Sequence, residues 1–177
     1  MKALTVCLFA AIVAGFLVST ASIMEGAKMD ALRISSAAFE NNGSIPGKYT
    51  CDGMNVNPPL KIEGVPVGAR SLALIVDDPD APRGIWVHWV VWNIDPKTGE
   101  INENSVPKGS IQGINDFERH DYGGPCPPSG THRYFFKLYA LDALLNLSGD
   151  AGKAGLEKAM QGHVLAQAQI VGLYKRK

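Results

Sequence analysis

The stretch D-D-P-D-A-P-R-G-I-W-V-H-W-V-V-W-N-I, residues 77–94, decides the fold. It opens with three carboxylates, Asp77, Asp78 and Asp80, set around two prolines, and then runs into W-V-H-W-V-V-W-N-I. That second half has no helical stripe. A short continuous apolar run bounded by Pro and Gly predicts a strand buried on both faces. With a side-chain period of two, Trp86, His88, Val90 and Trp92 are expected on one face, and Val87, Trp89 and Val91 on the other. His88 is then the only titratable group inside an apolar strand, with the aspartates just upstream. The plain reading is a core histidine bonded to a carbonyl beside a solvated acidic turn. The sharper one is a tuned site, because carboxylate–imidazole pairs in clefts are where perturbed chemistry collects.

Working outward, the chain of 177 residues suits one domain with a sizeable core. Lys plus Arg equal Asp plus Glu at 17 each, which removes any overall electrostatic case for nucleic acid or an anionic membrane. An anion site must therefore be local. At the N-terminus, Lys2, an apolar run over residues 4–18 and the small residues Ser19-Thr20-Ala21 have the layout of a secretory signal peptide. We expect residues 1–21 to direct export to a periplasm or the exterior, residues 22–30 to be a disordered leader, and residues 31–177 to form the folded domain. The apolar run is short for a spanning helix, which needs about 20 residues. Without Cys7, the mature chain keeps Cys51 and Cys126, so one intramolecular pairing is possible. An oxidising compartment permits it; two buried free thiols are the alternative.

Residues 31–39 read as a first strand at a sheet edge and residues 71–76 as a central one. Residues 95–121 are polar and loop-like, a length that is usually functional or holds short elements of its own. In the strand over residues 132–141, His132, Tyr134, Phe136 and Leu138 share a face, and Arg133, Phe135, Lys137 and Tyr139 the other. The one clear helix is expected after a cap at Asp150, with Leu156, Ala159 and Met160 at helical spacing and Gly162 ending it. His163 is expected to cap its last carbonyls. Residues 164–174 read as a closing strand. Many strands, one clear helix and long loops predict a mostly β fold, a sandwich.

Two strands begin near a histidine, and each follows a Pro-rich loop: D-P-D-A-P before His88 and G-G-P-C-P-P-S-G before His132. Side by side they would make a pocket from Asp78 or Asp80, His88, His132 and the Tyr134 hydroxyl. Gly123, Gly124 and Gly130 would let backbone N–H groups approach a ligand closely. Imidazole, phenol and backbone donors are what a phosphate or carboxylate oxygen needs.

The segments Asp78-Pro79-Asp80-Ala81-Pro82, Trp86-Val87-His88-Trp89 and the run from Gly124-Pro125-Cys126 through Thr131-His132-Arg133-Tyr134 resemble the signature segments of the phosphatidylethanolamine-binding protein family, which includes the Raf kinase inhibitor proteins. The bacterial branch is the most similar. The resemblance spans residues 31 to the C-terminus, with Asp52-Gly53, Pro58-Pro59-Leu60 and Tyr139-Ala140-Leu141-Asp142 extending it. It implies a β-sandwich around a large antiparallel sheet, one or two short helices near the C-terminus, and an anion pocket at one end. The pocket would be lined by Asp78, Asp80, Trp86, His88, Gly124, Pro127, Pro128, His132 and Tyr134, with Arg133 supporting the loop from behind. It also implies a non-enzymatic protein that binds phosphate-like head groups and regulates a kinase or protease, with no cofactor. The long C-terminal helix of eukaryotic relatives has no counterpart here.

No Lys or Arg matches a pocket-lining motif position, so an anion beside Asp78 would have to be balanced by protonated His88, His132 or both, aided by the aspartate. Three rivals have specific grounds. A zinc or iron site could use Asp78, Asp80, His88 and His132, but lacks any H-x-x-x-H or H-x-H spacing. A hydrolase could use Ser129 with His132, but Ser129 lies in no G-x-S-x-G elbow. The third is an interaction protein with a vestigial pocket.

Overall fold

The computed structural model describes residues 31–176; the signal-peptide and leader assignments lie outside them. Nine strands and one α-helix follow in order: β1 (Arg33–Ser35), β2 (Gly43–Ser44), β3 (Leu60–Glu63), β4 (Ser71–Asp78), β5 (Trp86–Ile94), β6 (Glu100–Ile101), β7 (Ile111–Gln112), β8 (His132–Leu141), α1 (Lys153–Met160) and β9 (Val164–Tyr174). They make a six-stranded sheet, β2-β9-β8-β4-β5-β7, and a three-stranded sheet, β1-β3-β6. All pairings are antiparallel except the short β2–β9 contact. The fold is mostly β, a sandwich built on a large sheet.

Strand β4, buried at all eight positions, is the axis. One face carries Leu72, Leu74 and Val76, which meet Ile34, Leu60, Ile62 and Ile101 of the small sheet. The opposite face carries Ala73 and Ile75, which meet Leu141, Leu145, Leu156 and Met160. Helix α1 has only the spacing of Leu156 and Met160, one turn apart, to bury, so it covers this face as a short lid.

Three expectations change. The period of two does not run through β5. Val76 pairs with Trp89 and Asp77 with Val87, so His88 is an extra residue, a β-bulge. Beyond it the faces exchange: Trp89 and Val91 lie in the core between the sheets, whereas Val90 and Trp92 join Val87 on the helix side. A second shift, where Asn93 adopts φ 56°, restores Ile94 to the inter-sheet core. Asp150 does not cap α1. The N-cap is Gly152, because the Ala151 carbonyl accepts the Ile114 N–H at 3.2 Å and its own N–H returns to Ser148, holding that segment as a turn. At the far end Gly162 adopts φ 79° and the His163 backbone N–H closes on the Met160 carbonyl, but the His163 imidazole bonds Asp142 at 2.8 Å and leaves the helix carbonyls alone.

Candidate functional site

Because β4 is antiparallel to both neighbours, its last residue meets the first residues of both. Asp78 pairs with Trp86, and His132 opens β8 beside them. These three ends, with His88 one bulge further in, surround a cavity of about 430 Å³. It is lined by Asp78, Trp86, His88, Pro128 and His132, as expected, and by Ala81, Pro82, Arg83, Phe117 and Cys126, which motif reading missed.

The histidines are oriented by their Nδ1 atoms. His132 Nδ1 lies 2.7 Å from Asp78 Oδ2, a pair that is nearly fully buried. The other oxygen, Asp78 Oδ1, accepts the Asp80 N–H at 2.8 Å. His88 Nδ1 lies 2.6 Å from the Gly123 carbonyl, which can only accept, so Nδ1 carries the hydrogen. Both rings thus have Nε2 as their remaining polar atom. Burial pushes the His88 pKa below its usual value; the Gly123 bond and the Asp78 charge pull the other way and are outweighed. Desolvation therefore disfavours the imidazolium of His88 in the free protein, so the protonation expected on binding has to be drawn by the anion itself.

Tyr134 does not line the cavity. It is fully buried beneath it, edge-on to His88 with ring centroids 5.2 Å apart, and burial together with the Asp78 charge holds its phenol protonated far above the usual range. Its hydroxyl makes no good hydrogen bond among the described residues. Asp80 turns away from the cavity to a two-pronged pair with Arg133, 2.9 Å to Nε and 2.6 Å to Nη2, and also accepts the Arg133 N–H. That guanidinium holds the Asp80 carboxyl down to about 2. Arg133 does brace the loop from behind, through Asp80.

The glycines serve packing. The Gly123 N–H is engaged by the His88 carbonyl and the Gly124 N–H by Asn55 Oδ1, so neither is open to a ligand. A Cβ at Gly123 would stand 2.4 Å from the Phe117 ring, and one at Gly124 2.6 Å from the Tyr49 carbonyl. Gly124 and Pro127, both buried, do not line the cavity.

Phe117 arrives from the long polar segment. Asn115, buried, closes a turn by accepting the N–H groups of Phe117 and Arg119, while its amide donates to the carbonyls of His88 and Asp121. Asp116 pairs with Val87 through both backbone and side chain. The turn pins Phe117 edge-on to both Trp86 and His88, centroids 5.4 and 5.3 Å away. Arg83 arrives on the turn closed by Gly84 N–H to the Ala81 carbonyl, with Gly84 at φ 103°. The expectation that no cation reaches the pocket is thus corrected: Arg83 lines it, exposed and without an ion-pair partner among the described residues.

Cys51 and Cys126 are joined as a disulfide with Cα atoms 5.4 Å apart. No group of three or more potential metal ligands converges among the described residues.

A β-sandwich whose central strand ends in a His–Asp pair under a mostly apolar pocket is a fold of ligand-binding type. The chain belongs to the phosphatidylethanolamine-binding protein family, which it matches over residues 35–175. A UPF0098 protein of Methanothermobacter thermautotrophicus is 52% identical over 150 residues, 82% of this chain and 99% of the relative. One from Pyrococcus horikoshii is also 52% identical, over 86% of this chain and 80% of the relative. Among solved structures, a phosphatidylethanolamine-binding protein homologue from Chlamydia trachomatis superposes with a TM-score of 0.80 at 39% identity, covering 83% of this chain and 99% of that one. YBCL of E. coli, described as a member of the mammalian family, gives 0.78 at 30% identity over 84% and 100%.

Proposed function

We propose that this chain is an exported, non-enzymatic binding protein that takes a phosphate-like head group, of phospholipid or nucleotide type, in the cavity at the end of β4, and regulates a partner such as a kinase or protease. One observation carries the reading: Asp78 and the Gly123 carbonyl hold two imidazoles by Nδ1 on one cavity wall, with Arg83 at the same cavity. An anionic oxygen bearing a hydrogen can donate to neutral His88 Nε2 and be neutralised by the guanidinium. The apolar remainder, Trp86, Phe117 and the prolines, suits the organic part of such a ligand. Export is supported by the N-terminal layout and by a disulfide, which persists in oxidising compartments. Ser129, the nucleophile a hydrolase reading would need, lies on an exposed arc and bonds neither histidine among the described residues.

Calorimetry with sulfate at pH ~5, ~6.5 and ~8 tests it, since an unperturbed imidazole titrates near 6.5. Sulfate brings no hydrogen of its own, so it must recruit one onto His88. Its affinity is expected to fall as pH rises, with proton uptake on binding. Equal affinity throughout would remove the histidines from the site. No heat and no shift of histidine NMR signals at any pH would leave an interaction protein with a vestigial pocket.

A further inference from the structure

The disulfide stands at the pocket itself: Cys126 is a lining residue, and it is exposed. Its two ends are held very differently. Cys51 sits on a braced post, where Thr50 Oγ1 bonds the Gly47 carbonyl and receives the Asp52 N–H. The Asp52 carboxylate is clasped by the Tyr174 hydroxyl at 2.8 Å and by Arg176 at 3.0 Å. The Cys51 N–H also bonds the Pro125 carbonyl. Up to Pro125, then, the G-G-P-C-P-P-S-G segment is tied to the body by hydrogen bonds. Past Cys126 this ends. From Pro127 to Thr131 the chain makes no loop hydrogen bond among the described residues, residues 128–131 are exposed, and Gly130, at φ 71°, has open space around it. The next anchors are the Arg133 N–H on Asp80 and the His132 ring on Asp78.

That arc carries Pro128, and with Cys126 it forms one wall of the cavity. We infer that the Cys51–Cys126 bond is a redox gate of the pocket: oxidised, it holds the wall formed; reduced, it releases the arc and weakens ligand binding. The inference rests on the anion-binding reading above and adds its regulation. The reaction is an ordinary exchange. A thiolate of an external dithiol attacks one sulfur, its second thiol resolves the mixed disulfide, the S–S bond is replaced by two S–H groups, and the dithiol leaves oxidised. For that attack Cys126 is the exposed residue of the pair, whereas Cys51 is half-buried. A wall that must be ordered by the ligand itself takes its entropy from the binding free energy.

The test is sulfate calorimetry at pH ~5 on the purified oxidised protein, on the same protein reduced with dithiothreitol, and on the Cys51→Ala/Cys126→Ala double variant, at a pH that favours imidazolium. Reduction is expected to weaken sulfate about tenfold, equivalent to ~1.4 kcal/mol, with the double variant matching the reduced protein and reoxidation restoring affinity. Backbone NMR order parameters should fall at Ser129, Gly130 and Thr131 and stay unchanged in β4 and β8. Binding by the oxidised protein with equal affinity after reduction would overturn the gate and leave the anion reading standing. No binding by the oxidised protein would defeat the anion reading and the gate with it. Loss of NMR dispersion throughout the reduced chain would also overturn the gate, since the bond would then be a requirement of the whole fold.

Discussion

Asp77 and Asp78 are neighbours on one strand and have opposite circumstances. Asp77, fully buried, points to the helix side and accepts Lys137 Nζ at 2.8 Å and Lys153 Nζ at 2.6 Å, with Glu157 a further 3.7 Å from Lys153. Asp78 points to the cavity, and both its oxygens are engaged in positioning, one on the His132 ring and one on the Asp80 N–H. The first cluster is closed: two cations face one carboxylate under a helix, and nothing is left for a ligand except one buried orphan oxygen, Oδ1. The second is open, because the His132 ring that Asp78 holds by Nδ1 has a second polar atom, Nε2, that Asp78 does not satisfy. Buried charge of the first kind acts on stability, and of the second on binding.

The largest expected effect lies on the pocket side. Removing the disulfide, which spans 75 residues, should cost about 4 kcal/mol by loop-closure entropy. At roughly 2–4 °C per kcal/mol for a domain of this size, that lowers Tm by about 10 °C. Calorimetric melting before and after reduction checks it, together with thiol labelling under denaturing conditions, which should find neither Cys51 nor Cys126 free in the oxidised protein. A melting temperature indifferent to reduction would mean that the open side draws no stability from its one covalent tie.

Next comes the closed cluster. Asp77→Ala leaves Lys137 and Lys153 facing each other at the sheet surface without their carboxylate, and breaking a buried pair from one side costs about 3 kcal/mol. Urea unfolding should show that loss, while sulfate affinity of the folded variant stays as in the parent. A matched loss of affinity would mean the two faces of β4 are coupled, and the contrast between the aspartates would fail.

How much of this contrast was legible in the sequence differs by element. Strands β5, β8 and β9 match their predicted spans, because a continuous or alternating apolar run bounded by turn residues marks a strand's extent whichever face its side chains take. The facing of His132 and Tyr134 followed from that period, and β8 keeps it along its length. Strand β5 does not, since a bulge is one inserted residue with no compositional mark; His88 and Trp89 are both acceptable strand residues on either face. Only Asn93, of a type that tolerates positive φ, hinted at the second shift. The site was half legible for the same reason. Residues on strands have a facing that can be derived, whereas Arg83 and Phe117 stand on turns, where direction is set by bonds such as those of Asn115 to residues near and far in sequence. The glycines were expected to bring N–H groups to a ligand; at Gly123 and Gly124 what approaches is a phenyl ring and a carbonyl of the same chain, and Gly130 has open space around it.

A smaller effect, confined to the open side, comes from His88. Its folded pKa lies below its unfolded one, so as pH falls the unfolded chain takes up the proton first. Stability from this group is complete above pH ~6.5 and is lost below it, by at most ~1.4 kcal/mol per pH unit until the folded pKa is reached. Urea unfolding between pH ~7 and ~5 should show the decline, and His88→Gln should reduce it. Sulfate should also reduce it, by favouring the charged ring. A decline that is the same in parent and variant would place its origin elsewhere.

The smallest effect on stability should accompany a clear one on binding, and Arg83 is where the two separate. Its side chain is exposed, has no carboxylate or carbonyl partner among the described residues and sits on a turn whose closure depends on Gly84 and Ala81 backbone atoms. Arg83→Gln keeps the length and most of the packing and removes only the charge. A surface change of that kind alters stability by no more than about 0.5 kcal/mol. In the cavity, however, that charge lines the same space as Asp78, and an anion entering beside a carboxylate loses a counterweight when it goes. A hydrogen bond to a charged group contributes roughly 1.5–3 kcal/mol, so sulfate should bind about tenfold more weakly or worse, and the loss should persist at pH ~8, where unperturbed imidazoles are neutral. Titration of parent and variant at that pH checks it. If Arg83→Gln binds as the parent does, the guanidinium points past the ligand into solvent, and the anion's charge is carried by the two imidazoles alone.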